Sequence, residues 1–174
     1  MSHQFPPAIR DMPSIQLAEF RHAMQSLASG VAIVTTGTAA GRCGLTVSSV
    51  TSICMEPPCL VVGINARSEA HDEILANGSF GVSVLRSDQE DLALRFGGGE
   101  GAKGVHRFDT GAWDQGALDV PLLPNAFCAL ECVLYDHKLL GTHTVFIGRI
   151  IATRQSDGNP LINFRGALRT LLLD

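Results

Sequence analysis

A chain of 174 residues with a net charge of −4 and only 17 % charged residues excludes several classes of function. The acidic balance leaves no nucleic-acid footprint, and no apolar run reaches the ~20 residues of a membrane span. Hydrophobic residues, 45 % of the chain, suffice for one sizeable core, and so thinly charged a surface points to apolar area buried against a partner subunit.

Met1 to Pro13 is aperiodic and contains proline, so an arm is expected before one domain at 14–174. The stretch before Asp11 lacks a signal-peptide apolar core, which makes the cytoplasm the simplest location. Leu17, Phe20, Met24 and Leu27 recur at three and four residues, one stripe of an amphipathic helix, and Gly30 is placed to end it. Val31 to Thr36 reads as a strand and Gly37 to Gly41 as a turn. Next comes a run rich in hydroxyls. If it is one strand, Thr46, Ser48, Val50 and Ser52 share a face, and Val47, Ser49, Thr51 and Ile53 share the other. Such a face suits a polar ligand lying against strand backbone, or a solvated edge. Met55-Glu56-Pro57-Pro58 is a connection that no central strand could contain, and Cys59 to Ile64 is a buried strand.

Ser68 is an N-cap for a short helix, Glu69 to Ala76, closed by Asn77-Gly78. A helix start beside Arg67 and a capping hydroxyl is either an anion site or an ordinary capped helix. Ser79 to Leu85 alternates as a strand. Ser87-Asp88-Gln89-Glu90 reads as a capping box that opens a helix through Leu92 and Phe96. Gly97 to Gly101 is a tether. It lacks the spacing of a phosphate loop. Lys103 to Asn125 is a long loop, a common form for ligand walls, with Trp113 as its packing anchor. Ala126 to Tyr135 and Thr142 to Thr153 are strands. The five cysteines, Cys43, Cys54, Cys59, Cys128 and Cys132, form no Cys-x-x-Cys pair. Cys128 and Cys132 would stand about 13 Å apart on a strand, too far to share a metal. All five are expected reduced, mostly buried, with no metal site. About seven strands without crossover helices make a largely antiparallel sheet, and closure into a barrel would remove its edges.

Gly30-Val31-Ala32-Ile33-Val34-Thr35-Thr36, then Gly44-Leu45-Thr46-Val47-Ser48-Ser49, then Pro57-Pro58 before an apolar strand resembles the short-chain flavin reductases. These are the small reductase components of two-component flavin monooxygenases. The resemblance runs from Phe20 to Gly166. It implies a mainly β fold, the FMN-binding split barrel: a Greek-key antiparallel barrel with flanking short helices, working as a homodimer. It implies FMN or FAD as the flavin, NADH or NADPH as co-substrate, and a separate oxygenase as partner. The flavin contacts it implies are Thr46, Val47, Ser48, Ser49, Ser52, Asn65, Arg67, Ser68, His71, Phe164 and Arg165, with the phosphate on the Asn65 to His71 segment. That segment has Ala70 where the family pattern has Thr.

In Gly141-Thr142-His143-Thr144 the family usually reads Gly-Asp-His, with the histidine near the nicotinamide. His143 is therefore the implied catalytic residue. Thr142 replaces the carboxylate that would orient the imidazole, so a less constrained His143 is expected. Two other readings share the barrel. One is a flavin- or haem-binding protein without turnover. The other is an oxidase of a pyridoxal-type phosphate, which would want a more basic pocket than Arg67 alone offers.

Overall fold

Every residue from Val31 to Thr36 is shut away from solvent, which a strand permits only when both its faces are covered. Alternate side chains enter two different cores. Val31 and Ile33 pack with Leu85, Phe96, Phe108, Leu122 and Leu123. Ala32 and Val34 pack with Val62, Ile64, Phe80 and Phe146. Each of these side chains larger than alanine contributes ~1.5–3 kcal/mol by burial. The two threonines that end the run satisfy their hydroxyls on backbone: Thr35 on the Pro121 carbonyl and Thr36 on that of Ser79.

The computed structural model describes residues 11–171, apart from the Glu100 side chain. Most of the expected arm, and the last three residues, lie outside them. The helices are α1 (Leu17–Met24), α2 (Glu69–Asn77) and α3 (Glu90–Phe96). The strands are β1 (Ser29–Gly30), β2 (Ala32–Thr36), β3 (Cys43–Val47), β4 (Thr51–Met55), β5 (Pro58–Asn65), β6 (Ser79–Val84), β7 (Asp114–Gln115), β8 (Pro121–Leu122), β9 (Cys128–Leu140), β10 (His143–Gln155), β11 (Leu161–Phe164) and β12 (Ala167–Thr170). Seven of them form one sheet in the order β3-β2-β6-β9-β10-β5-β4, with every pairing antiparallel. A small sheet β1-β11-β12 brings the end of the chain back to α1.

The hydroxyl run is not one strand. β3 ends at Val47, Ser48 to Val50 step across, and β4 starts at the opposite edge of the sheet. Ser and Thr tolerate an extended crossing as well as a strand, so alternation could not reveal the break. The Ser49 hydroxyl bridges the gap, accepting from the Gly63 amide at 3.2 Å and donating to the Gly63 carbonyl at 3.0 Å. It thereby ties the end of β3 to β5.

Other expectations shift in detail. α1 stops at Met24, and its stripe of Leu17, Phe20, Met24 and Leu27 stays exposed. The capping box lies one residue earlier, with Gln89 Oε1 accepting the Arg86 amide at 2.9 Å. The long loop carries a 3-10 turn, Gly104–Asp109, and the β7–β8 hairpin. It is pinned by Trp113, whose ring packs 5.2 Å from Phe96 and 4.8 Å from Phe108. Both long strands extend further than expected. Their pairing skips Tyr135 on β9 and Ile151 on β10, bulges that push both side chains into solvent.

Candidate functional site

β10 pairs with β5 in a register that sets His143 opposite Asn65. Two residues earlier on β5, Gly63 receives the Ser49 hydroxyl. Three distant segments thus meet around a cleft of about 460 Å³, lined by Leu45 to Ser49, Gly63, Asn65 and His143. β3 is an edge strand bonded only to β2, so its outer side has no strand partner, and the Gly44 carbonyl accepts from the Arg107 guanidinium at 2.7 Å.

The hydroxyls in the cleft are unequal. Thr46 donates to the Ala93 carbonyl at 2.7 Å, and Ser49 is held by Gly63. Ser48 is exposed and lines the cleft wall. Ser52 is on β4, opposite Leu60, exposed and outside the lining. The broken strand removes it from the group it was expected to join. Gly63 carries no signal beyond that of a glycine inside an apolar strand, a mark of close backbone approach.

At the start of α2, Ser68 occupies the N-cap position in an extended conformation, but its hydroxyl makes no capping bond. That oxygen is shielded from solvent and has no hydrogen-bond partner. Asn65 Oδ1 instead accepts the Arg67 amide at 2.9 Å, and Arg67 is exposed. A buried hydroxyl without a partner costs ~1–3 kcal/mol. An anion at this helix start would supply the partner and meet the positive end of the helix dipole.

His71 sits on the first turn of α2 with both ring nitrogens engaged. Nδ1 is 2.7 Å from Asp72 Oδ1 and Nε2 is 2.8 Å from the buried Thr144 hydroxyl. Its ring meets Phe146 edge-on at 5.4 Å. The imidazole therefore ties α2 to β10 beside His143. His143 itself is exposed, with the Thr142 hydroxyl 2.9 Å from its Nδ1. Phe164 and Arg165 are outside this lining, at the β11–β12 turn, where the Arg165 guanidinium stands 5.3 Å over the Phe164 ring, and Arg165 shares an adjoining cleft with Ser48 and Ser49.

The cysteines take no part in the cleft lining. Burial, helped by Glu73 and Glu69, pushes the Cys43 thiol up to about 11, and burial pushes Cys132 up to about 12. Both are thiols at neutral pH. Cys54 is exposed, unlike the buried position expected of most. Among the described residues no three His, Cys, Asp or Glu side chains cluster as metal ligands.

The family described as Flavin reductase like domain matches residues 24–172. This chain belongs to that family. As a member, it is similar to the 4-hydroxyphenylacetate 3-monooxygenase reductase component of Escherichia coli, with 36 % identity over 91 % of this chain and 94 % of that protein. It is 34 % identical to an NADH-dependent flavin reductase of Rhodococcus, over 92 % of this chain and 90 % of that one. Among solved structures, the NADH:FAD oxidoreductase of Streptomyces globisporus, in complex with NAD and FAD fragments, superposes with a TM-score of 0.82. Its identity is 28 %, over 90 % of this chain and 93 % of that one. The fold of this flavin reductase-like chain is the split barrel of its relatives. The residues present fit a flavin phosphate on chemical grounds: the unpartnered Ser68 hydroxyl lies at a helix start, and the preceding residue is the exposed Arg67.

Proposed function

We propose that this chain is an NAD(P)H-dependent flavin reductase that hands reduced FMN or FAD to a separate flavin-dependent monooxygenase. The observation that carries the reading is the convergence of the β3 edge, Asn65 and His143 on one cleft, with Asn65 three residues before the helix cap where Ser68 lacks a partner. A bound flavin supplies the acceptor for a hydride from the nicotinamide, so the protein need provide no nucleophile. The chain's own residues bind and orient. Val47 and Ser48 offer edge backbone and a free hydroxyl. Ser68 and Arg67 hold the phosphate. His143, steadied by Thr142, borders the space for the second nucleotide.

The functional unit is the domain at 14–174, acting in the cytoplasm as a homodimer. Its support is exposed apolar surface on the strands β4, β9 and β10: Ile53, Met55, Tyr135 and Ile151 are all exposed, Met55 by 87 %. Among the described residues no helix is long and apolar enough to cross a membrane.

The test is anaerobic mixing of the protein and free flavin with each nicotinamide cofactor. Rapid bleaching of FMN or FAD is expected. Flavin that binds but keeps its colour would replace the reductase with a flavin-binding protein without turnover.

A further inference from the structure

β4 and β5 form a hairpin that turns at Glu56-Pro57, with Met55 opposite Pro58. One step further from the turn, Cys54 stands directly opposite Cys59. Residues facing each other across antiparallel strands have Cα atoms ~4.5–5.5 Å apart and share a face. A disulfide needs a Cα separation of ~4.4–6.8 Å, so the two backbones already stand within bonding reach.

We propose that Cys54 and Cys59 are a peroxide-responsive thiol pair, oxidised to a disulfide that staples the edge strand β4 to β5. The two differ as such a pair requires. Cys54 is exposed and Cys59 is buried, so one thiol meets the oxidant and the other stands behind it to resolve the product. The Cys54 thiol donates to the Glu56 carbonyl at 3.2 Å, a bond within its own turn that rotation about Cα–Cβ exchanges for contact with Cys59. The other three cysteines are placed differently. Cys43 is opposite Thr36, Cys128 is opposite Val84 and Gln155, and Cys132 is opposite Phe80 and Ile150. None of them faces a cysteine across a ladder. Burial also pushes the Cys43 and Cys132 thiols up to about 11 and about 12, away from the reactive thiolate form.

The Cys54 sulfur attacks hydrogen peroxide, the O–O bond breaks, and a sulfenic acid and one water form. The Cys59 sulfur then attacks the Cys54 sulfur. The S–O bond breaks, and the hydroxyl leaves as a second water with the Cys59 proton. Two thiols are oxidised and one peroxide is reduced to two waters. The source of the peroxide rests on the reductase reading above: reduced flavin that meets dioxygen before an oxygenase passes it two electrons and two protons, giving hydrogen peroxide. β5 carries Gly63 and Asn65 of the cleft, so the staple forms on a strand of the site that releases this flavin.

The full chain is treated with hydrogen peroxide, alkylated, and cleaved after methionine with cyanogen bromide. Met55 lies between the two cysteines, so a Cys54–Cys59 disulfide holds fragments 25–55 and 56–174 together until it is reduced. Free thiols are expected to fall by two of the five. Cys54→Ala and Cys59→Ala should each let the fragments part, and Cys43→Ala should leave them joined. Joined fragments in Cys54→Ala, a disulfide between two chains, or Cys54 driven to sulfinic acid while Cys59 still alkylates would overturn the proposal. So would a Cys54 thiol that reacts with peroxide in urea but not in the folded protein. A second arm replaces added peroxide with NADH, free flavin and air. The same link is expected, and catalase should abolish it. A link made by added peroxide but not by turnover upholds the thiol pair and counts against the reductase reading. Flavin reduction with both cysteines still free after added peroxide does the reverse.

Discussion

The Thr142 hydroxyl lies 2.9 Å from Nδ1 of its neighbour His143. A neutral hydroxyl therefore stands at the position where the family pattern resembled by the sequence has Asp, and it holds the ring nitrogen without adding a negative charge beside the imidazole. Thr142→Val removes the hydrogen bond and keeps the shape. Flavin reduction followed by stopped flow should slow several-fold while flavin affinity holds, since the proposed flavin contacts lie on β3 and at the start of α2. Thr142→Ser should recover most of the rate. Equal rates in all three proteins would make the contact incidental.

The orphaned Ser68 hydroxyl makes opposite predictions for the free and the loaded protein. Ser68→Ala removes a shielded group that lacks a partner, so thermal stability without ligand should stay level or rise slightly. FMN affinity should fall, and riboflavin affinity should not, because only FMN carries the phosphate. Arg67→Ala should weaken FMN about tenfold or more and again spare riboflavin, as a charge-assisted contact is worth ~1.5–3 kcal/mol. Equal losses for both flavins would move the phosphate elsewhere.

Ser49 was expected to face the ligand, yet its hydroxyl spans the barrel seam to both backbone groups of Gly63. Ser49→Ala should cost ~1 kcal/mol or somewhat more, seen as a fall in Tm of about 2–4 °C for a chain of this size. Flavin affinity should drop with it, because the seam sets the spacing of the cleft walls. A variant with unchanged Tm would deny the seam its role.

The residues that announce this fold do so through burial. Val31 to Val34 are apolar at successive positions because each face of β2 meets a different core, and a fully apolar run is readable from sequence. The α2 boundaries were equally visible, since Gly78 takes φ of 65° to end the helix, a conformation that favours glycine. The step from β3 to β4 was not visible. Ser48 and Ser49 are as compatible with a crossing as with a strand, and only the closure of the sheet decides between them. The site was half legible for the same reason. Thr46 to Ser49, Asn65 and His143 do share a cleft, but Ser52 left with β4. His71, placed by pattern against the flavin, spends both nitrogens on Asp72 and Thr144, a pairing across 73 positions that no local motif encodes.

Cys132 predicts how stability responds to alkali. It is wholly buried, and burial raises its thiol from an ordinary value of 9.0 to about 12. In the unfolded chain the thiol loses its proton near the ordinary value, whereas in the folded chain it keeps it. Above pH 9 the unfolded state therefore binds fewer protons, and stability falls as pH rises toward the folded value. Below pH 9 both states are protonated and the group contributes no slope. Each unit of pH inside that window costs up to ~1.4 kcal/mol from one thiol. Cys132→Ala should be less stable than wild type at pH 7, because it leaves a small cavity beside Phe80 and Gly148. Its stability should nevertheless decline less steeply from pH 9 to 11. Urea melts at pH 7, 9, 10 and 11 on both proteins measure the two slopes. Parallel declines would mean that the Cys132 thiol has the same affinity for its proton folded and unfolded.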